Sequence, residues 1–164
     1  MLDTAAQAPE WQTTHWFNSD GPLTLADLRG QVVVLHAFQM LCPGCVSRGI
    51  PQVQRVAELF KGAPLSVIGL HTVFEHHAAM QPHALEAFLR EYRVQFPVGV
   101  DTAGSDGKST PLTMRAYAMR GTPTTVLIDA LGRIRRQVFG AHDDILLGAE
   151  IQTLLLEATH RLPT

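Results

Sequence analysis

The sequence predicts an α/β fold, with a central mixed β-sheet and helices on both of its faces. Three observations carry that prediction. Two apolar, β-branched runs at 31–38 and 65–70 have the composition of strands buried on both sides. Each leads into a stretch whose apolar residues recur at helical spacing. The chain then closes on two β segments joined by a short glycine-containing turn, followed by one more apolar-faced helix. Such a hairpin adds antiparallel neighbours to a sheet whose alternating strands and helices imply parallel ones.

The elements follow in order. Residues 1–20 carry Trp11, Trp16 and Phe17 among polar neighbours and are expected to form an N-terminal arm or short strand on the body. Thr24 to Gly30 reads as one capped turn closed by glycine. After the strand at 31–38, Val46, Ile50, Val53, Ala57 and Phe60 share a helical face, interrupted by Gly49 and Pro51, where a kink or break is expected. A second strand covers 65–70. Pro82 opens the next helix, with Leu85, Phe88, Leu89 and Tyr92 on its apolar side. Residues 97–100 form a short extended piece, 101–110 a loop, and 111–119 a short helix. The hairpin spans 124–139. Asp143 or Asp144 caps a last helix that faces inward through Leu147, Ile151, Leu154, Leu155 and Ala158.

Composition limits the function. The 164 residues, 46% hydrophobic and 17% charged, suit one domain over 1–164 with a substantial core. A net charge of −2 speaks against a nucleic-acid partner. No apolar run has the length of a membrane span, and residues 1–9 lack the basic start and apolar stretch of a signal peptide. A cytoplasmic location is the resulting expectation.

The chain has two cysteines, and they stand together as Cys42-Pro43-Gly44-Cys45, between a strand and a helix. A disulfide scaffold would use several distant pairs, and a closed zinc site would need two more ligands at matching spacing. His36, His71, His76 and His77 are the candidates to supply them, but none lies at finger-like spacing. A redox dithiol that needs no metal or other cofactor fits better.

The residues resemble the thioredoxin superfamily, and within it the redoxin (AhpC/TSA) branch close to the TlpA and ResA type thiol-disulfide oxidoreductases. Three segments carry the likeness in the same order: Val32 to Cys45, Tyr92 to Asp101, and Tyr117 to Asp129. The resemblance implies a thioredoxin-like fold and a thiol-disulfide oxidoreductase, expected to act as a reductase. Its partners are a protein or small-molecule disulfide and an electron donor that the sequence does not identify. Cys42 falls where the helix begins, and unpaired N–H groups and the positive helix end favour a thiolate there, so it is the expected nucleophile. Cys45, one turn on, is the expected resolving thiol.

Thr122 and Pro123 match the segment in which a cis-proline faces the dithiol and the preceding backbone pairs with substrate. His36, six residues before Cys42, takes the place of an acidic or amide residue and is expected to tune Cys45 as a buried proton acceptor. An ordinary, non-titrating strand histidine is the competing role. Glu75, just after the second core strand, is comparable to a glutamate that modulates cysteine pKa in the TlpA branch and is expected to tune the thiols; a residue of a solvated loop is the competing role. Phe38, Met40 and Leu41 are expected to rim the site.

The chain departs from the family at Leu41, where tryptophan is common, and in its Pro-Gly dipeptide. Pro51 lies one position further from the dithiol than is usual, and His36 is itself a departure. Two other functions compete. A peroxiredoxin-like peroxidase needs a Pro-x-x-x-Thr-x-x-Cys pattern, which Phe38-Gln39-Met40-Leu41 does not supply. A metal-binding or redox-regulated module would use the same thiols without turnover.

Overall fold

The computed structural model describes residues 5–105 and 110–160. Its strands are β1 (Thr13–Phe17), β2 (Val32–Phe38), β3 (Leu65–His71), β4 (Val98–Asp101), β5 (Thr124–Ile128) and β6 (Ile134–Phe139). They form one sheet in the order β1-β4-β3-β2-β5-β6. The β2/β3 and β3/β4 pairs are parallel, and the other three are antiparallel, so the sheet is mixed as expected. Every residue of β2 is buried, which is why its sequence lacks the alternation of a half-exposed strand.

Alternation still decides which face each side chain enters. Val32, Val34 and Phe38 point into a core built with Ile50 and Val53 of α1 (Ile50–Leu59), Leu85 and Leu89 of α2 (Pro82–Glu91), and Leu147, Ile151 and Leu154 of α4 (Asp144–His160). Val33, Leu35 and Ala37 point the other way. There the cover is Trp11, Leu25, Leu28 and the Met114–Met119 region around the short α3 (Leu112–Ala116). The longer helices thus share one face. The opposite face is closed by the N-terminal arm, whose β1 is an edge strand, and by short helical turns.

The turn at 24–30 forms as a single 3₁₀ turn (Ala26–Leu28). The Thr24 N–H and hydroxyl both donate to the Asp27 carboxylate, and Gly30 closes the turn at a φ of 90°. The expected interruption near Gly49 and Pro51 is a π-helical turn, Cys45–Gly49, that runs directly into α1. Pro51 has no N–H to give one turn back. The Ile50 N–H reaches instead to the Cys45 carbonyl, five residues away. Asp143 caps α4, accepting from the N–H groups of Ile145 and Leu146 at 3.0 Å each.

Two expectations need correction. The helix expected over 111–119 ends at Ala116 because Ala118 turns left-handed, with φ of 49°, and redirects the chain toward β5. Tyr92 lies just past the end of α2, so it leaves the apolar face. Its ring packs against Phe88, centroids 4.4 Å apart, with 45% of the residue exposed. Part of the expected loop at 101–110 falls outside the described residues. Among those described, no helix is long and apolar enough to cross a membrane.

Candidate active site

The buried strand β2 delivers the chain to the dithiol. After Phe38 it turns at Gln39–Leu41, and the Cys42 N–H donates to the Gln39 carbonyl at 3.1 Å. The Cys42 carbonyl accepts from Val46 N–H at 3.1 Å, so Cys42 sits at the mouth of the helical segment that the π turn begins. Both thiols are free. Cys42 is partly exposed, whereas Cys45 is completely buried. Burial pushes the Cys45 thiol up to about 12, and hydrogen bonding with Cys42 adds to the shift. The sequence places the two sulfurs three positions apart; the fold gives them unequal access.

The Thr122–Pro123 peptide bond is cis, as the matching segment implies. It brings the Thr122 carbonyl to 3.5 Å from Cys42 Sγ, which donates to it. Pro123 is anchored from behind, its own carbonyl accepting from Gly140 N–H at 2.8 Å. Gly44 faces the same proline, and a Cβ there would stand 3.4 Å from the proline Cδ. A Cβ at that distance would be in ordinary contact, so the dithiol turn and Pro123 pack against each other without requiring glycine. Cys42, Cys45, Thr122 and Pro123 are one constellation.

His36 and Glu75 meet that constellation differently from expectation. The His36 ring is buried, with Nδ1 at 3.1 Å from Thr125 Oγ1 and Nε2 without a hydrogen-bond partner. Neither ring nitrogen bonds a thiol. The ring lies under Gly49, where a Cβ would come within 2.7 Å of Nε2 and 3.3 Å of the Pro123 Cβ. Burial pulls the His36 pKa down to about 4, so the ring is neutral at pH 7. Glu75 is exposed and touches the site through an intermediary: Gln39 Nε2 donates to Glu75 Oε1 at 3.4 Å. His76 and His77 are exposed beside it, and His71 is buried with Nε2 accepting from Met40 N–H at 3.3 Å. The four histidines do not gather around the thiols, and among the described residues no three His, Cys, Asp or Glu side chains converge on a common point. Of the expected apolar rim only Leu41 is open, at 55%; Phe38 and Met40 are core residues.

Gln39 is a site residue that sequence reasoning missed. Only 1% of it is exposed, and its Oε1 accepts from Phe74 N–H at 3.1 Å while its carbonyl holds Cys42 N–H. One residue thereby ties the Glu75 loop to the dithiol turn. The available signal was a polar residue at the end of the mainly apolar β2 run, three positions before Cys42. Gln39→Ala leaves the Phe74 N–H without its partner, and is expected to cost about 1–3 kcal/mol in urea unfolding. An unchanged unfolding midpoint would show that this link contributes nothing. A second missed group is His142, 4% exposed, whose Nε2 stands 3.0 Å from Glu150 Oε2.

Comparison with known proteins places this geometry among relatives. Residues 4–137 match the AhpC/TSA family. A crystal structure of a thioredoxin-like superfamily protein shares 58% identity at a TM-score of 0.89, covering 92% of this chain and 97% of that one. A thiol-disulfide isomerase from Corynebacterium glutamicum shares 46% at a TM-score of 0.87, covering 94% and 98%. Protein DipZ of Mycobacterium bovis is 29% identical over 161 residues, which are 96% of this chain but 22% of that protein. The chain thus spans about a fifth of the length of its DipZ relatives. Bacillus proteins named ResA and a Pseudomonas fluorescens protein named DsbE are also relatives, in agreement with the TlpA/ResA-type branch expected from the sequence.

Proposed function

The chain belongs to the AhpC/TSA family, and from that premise we propose that it is a thiol-disulfide oxidoreductase acting as a reductase, with Cys42 as nucleophile and Cys45 as resolving thiol. One observation carries the proposal. A partly exposed Cys42 Sγ lies 3.5 Å from the carbonyl before a cis-proline, and a buried partner thiol follows one turn later. The Cys42 thiolate attacks one sulfur of R–S–S–R′, and R′–S⁻ leaves and takes up a proton. Cys45 then loses its proton and attacks the Cys42 sulfur, and R–S⁻ leaves. Two electrons pass from the dithiol to the substrate, which gains two protons.

The setting of Cys45 supports this division of labour. Its burial denies it to a bulky disulfide but not to a sulfur already bonded to Cys42. Burial also withholds stabilisation from the Cys45 thiolate, so the reduced form gains little from charge, which favours a reductant over an oxidant. Thr122 supplies backbone groups and Pro123 a shape against which an extended substrate segment lies. His36 stays part of the proposal as a neutral buried ring that tunes the site indirectly, and Glu75 as one acting through Gln39.

The test is capture of the intermediate. A Cys45→Ser variant treated with a disulfide substrate is expected to accumulate a mixed disulfide on Cys42, seen as a mass increase that dithiothreitol reverses. A Cys45→Ser protein that never carries the substrate half, or carries it at another residue, overturns the assignment.

A further inference from the structure

Behind the dithiol lies a cavity of about 150 Å³, between α1, the π turn and the β6–α4 connection. Its wall includes Gly44, from between the two cysteines, and Pro123, next to the carbonyl that Cys42 contacts. The cavity thus reaches two neighbours of Cys42 in the site, Gly44 and Pro123, while Cys42 itself is not part of its wall. Arg48, His36 and His142 complete its chemistry. His36 Nε2 and His142 Nδ1 belong to side chains at least nine-tenths buried, and neither has a hydrogen-bond partner among the described residues. A buried polar atom without a partner is costly, so a ligand that supplies one is favoured.

The charges around the cavity define that ligand. Arg48 is its charged lining residue, and no carboxylate lines it. Two carboxylates stand nearby, outside the lining. Asp144 accepts from Gln52 at 2.5 Å and from Arg55 at 2.9 Å; the charge of Arg48 reaches it only as a smaller influence. Glu150 stands 3.3 Å from Arg136 and 3.0 Å from His142. Arg48 is left exposed at the cavity, with a guanidinium whose fork geometry matches a carboxylate. His36 Nδ1 lies 3.1 Å from the Thr125 hydroxyl, and in the tautomer that carries the proton on Nε2 the hydroxyl donates to Nδ1 and the ring offers a donor inward.

The geometry points to a carboxylate-binding subsite, formed by Arg48 and His36, for the substrate half that forms the mixed disulfide with Cys42. This inference rests on the thiol-disulfide reading above and narrows its substrate class to disulfides with a carboxylate near the sulfur. The carboxylate belongs either to a low-molecular-weight thiol or to an acidic residue beside a protein's cystine.

The test compares oxidised glutathione with its tetraethyl ester as substrates. The wild-type protein is expected to favour the acid about tenfold or more in kcat/KM, and Arg48→Ala to remove that preference. Equal rates for acid and ester in the wild type, or an equal loss on both in Arg48→Ala, overturn the subsite. Calorimetric binding of S-methylglutathione, which cannot react, reads the same subsite without turnover. Binding weakened about tenfold by Arg48→Ala supports it even if no disulfide is ever reduced, which would defeat only the enzymatic reading; no binding to the wild type overturns it. Cystine peptides with aspartate or asparagine beside the half-cystine identify the source. An aspartate preference larger than that for glutathione assigns the subsite to protein substrates, and a smaller one to small thiols.

Discussion

Replacing Cys42 by serine is expected to lower disulfide turnover by about 10³-fold or more in an insulin-reduction assay, which amounts to background. A serine hydroxyl does not ionise near neutral pH and forms no covalent bond to sulfur that Cys45 could resolve. The loss is therefore one of chemistry. The fold should be indifferent, because Cys42 is partly exposed and its hydrogen bond to the Thr122 carbonyl is long at 3.5 Å. Unfolding midpoints within experimental error of the wild type are the necessary companion result. A Cys42→Ser protein that keeps a tenth of its activity while remaining folded would falsify the assignment of the nucleophile.

The unequal access of the thiols sharpens that test. Iodoacetamide at pH 8 is expected to label Cys42 and leave Cys45 unmodified in the folded, reduced protein. Cys45 is completely buried, and its thiol is pushed up to about 12, so it offers neither surface nor thiolate. Activity should vanish in step with that single modification.

Much of this was legible in the sequence, because the relevant signals are local. The apolar run of β2, the dithiol directly after it and the glycine turn before β6 each lie within a few residues of one another. The segment containing Pro123 was legible by likeness alone, since a cis bond leaves no mark in periodicity. What escaped depends on contacts between distant segments. Gln39 reads as an ordinary polar residue until the fold brings Phe74 and Glu75 to it. His142 reads as part of a polar turn until Gln52 of α1 takes its carbonyl at 2.8 Å and Glu150 of α4 comes up beside its ring. Gly49 and Pro51 marked the interruption in the sequence but not its form. The choice of a π turn lies in which carbonyl the Ile50 N–H can reach once Pro51 gives none.

Acidification is expected to destabilise the protein by several kcal/mol between pH 7.5 and 4.5, with His36 and His71 as the main cause. Both rings are 1% exposed, and burial draws each from 6.5 down to about 4. The sign follows from proton binding. Between 6.5 and 4 the unfolded chain takes up protons on these histidines while the folded one does not, so stability is complete above pH 6.5 and is lost as pH falls toward 4. A change from 6.5 to about 4 corresponds to about 3 kcal/mol per ring, most of it lost by pH 4.5. The partners of the two rings are neutral: His36 meets Thr125 and Phe38, and His71 meets Met40 N–H and Phe38. Nothing there compensates a charge. Two carboxylates bound the window. Asp101, raised by burial, binds its proton in the folded state first and offsets part of the loss near its lower end. Asp129 is also pushed up by burial, but hydrogen bonds and charge from Arg133 outweigh that and hold it below 3.8, so its contribution is lost only at more acidic pH. Urea unfolding at several pH values measures the slope. The His36→Asn and His71→Asn double variant, less stable at pH 7.5, is expected to show a curve flattened by about two-thirds between pH 6.5 and 4.5. A wild-type curve flat across that range, or an equally steep one in the double variant, removes the two buried histidines as its cause.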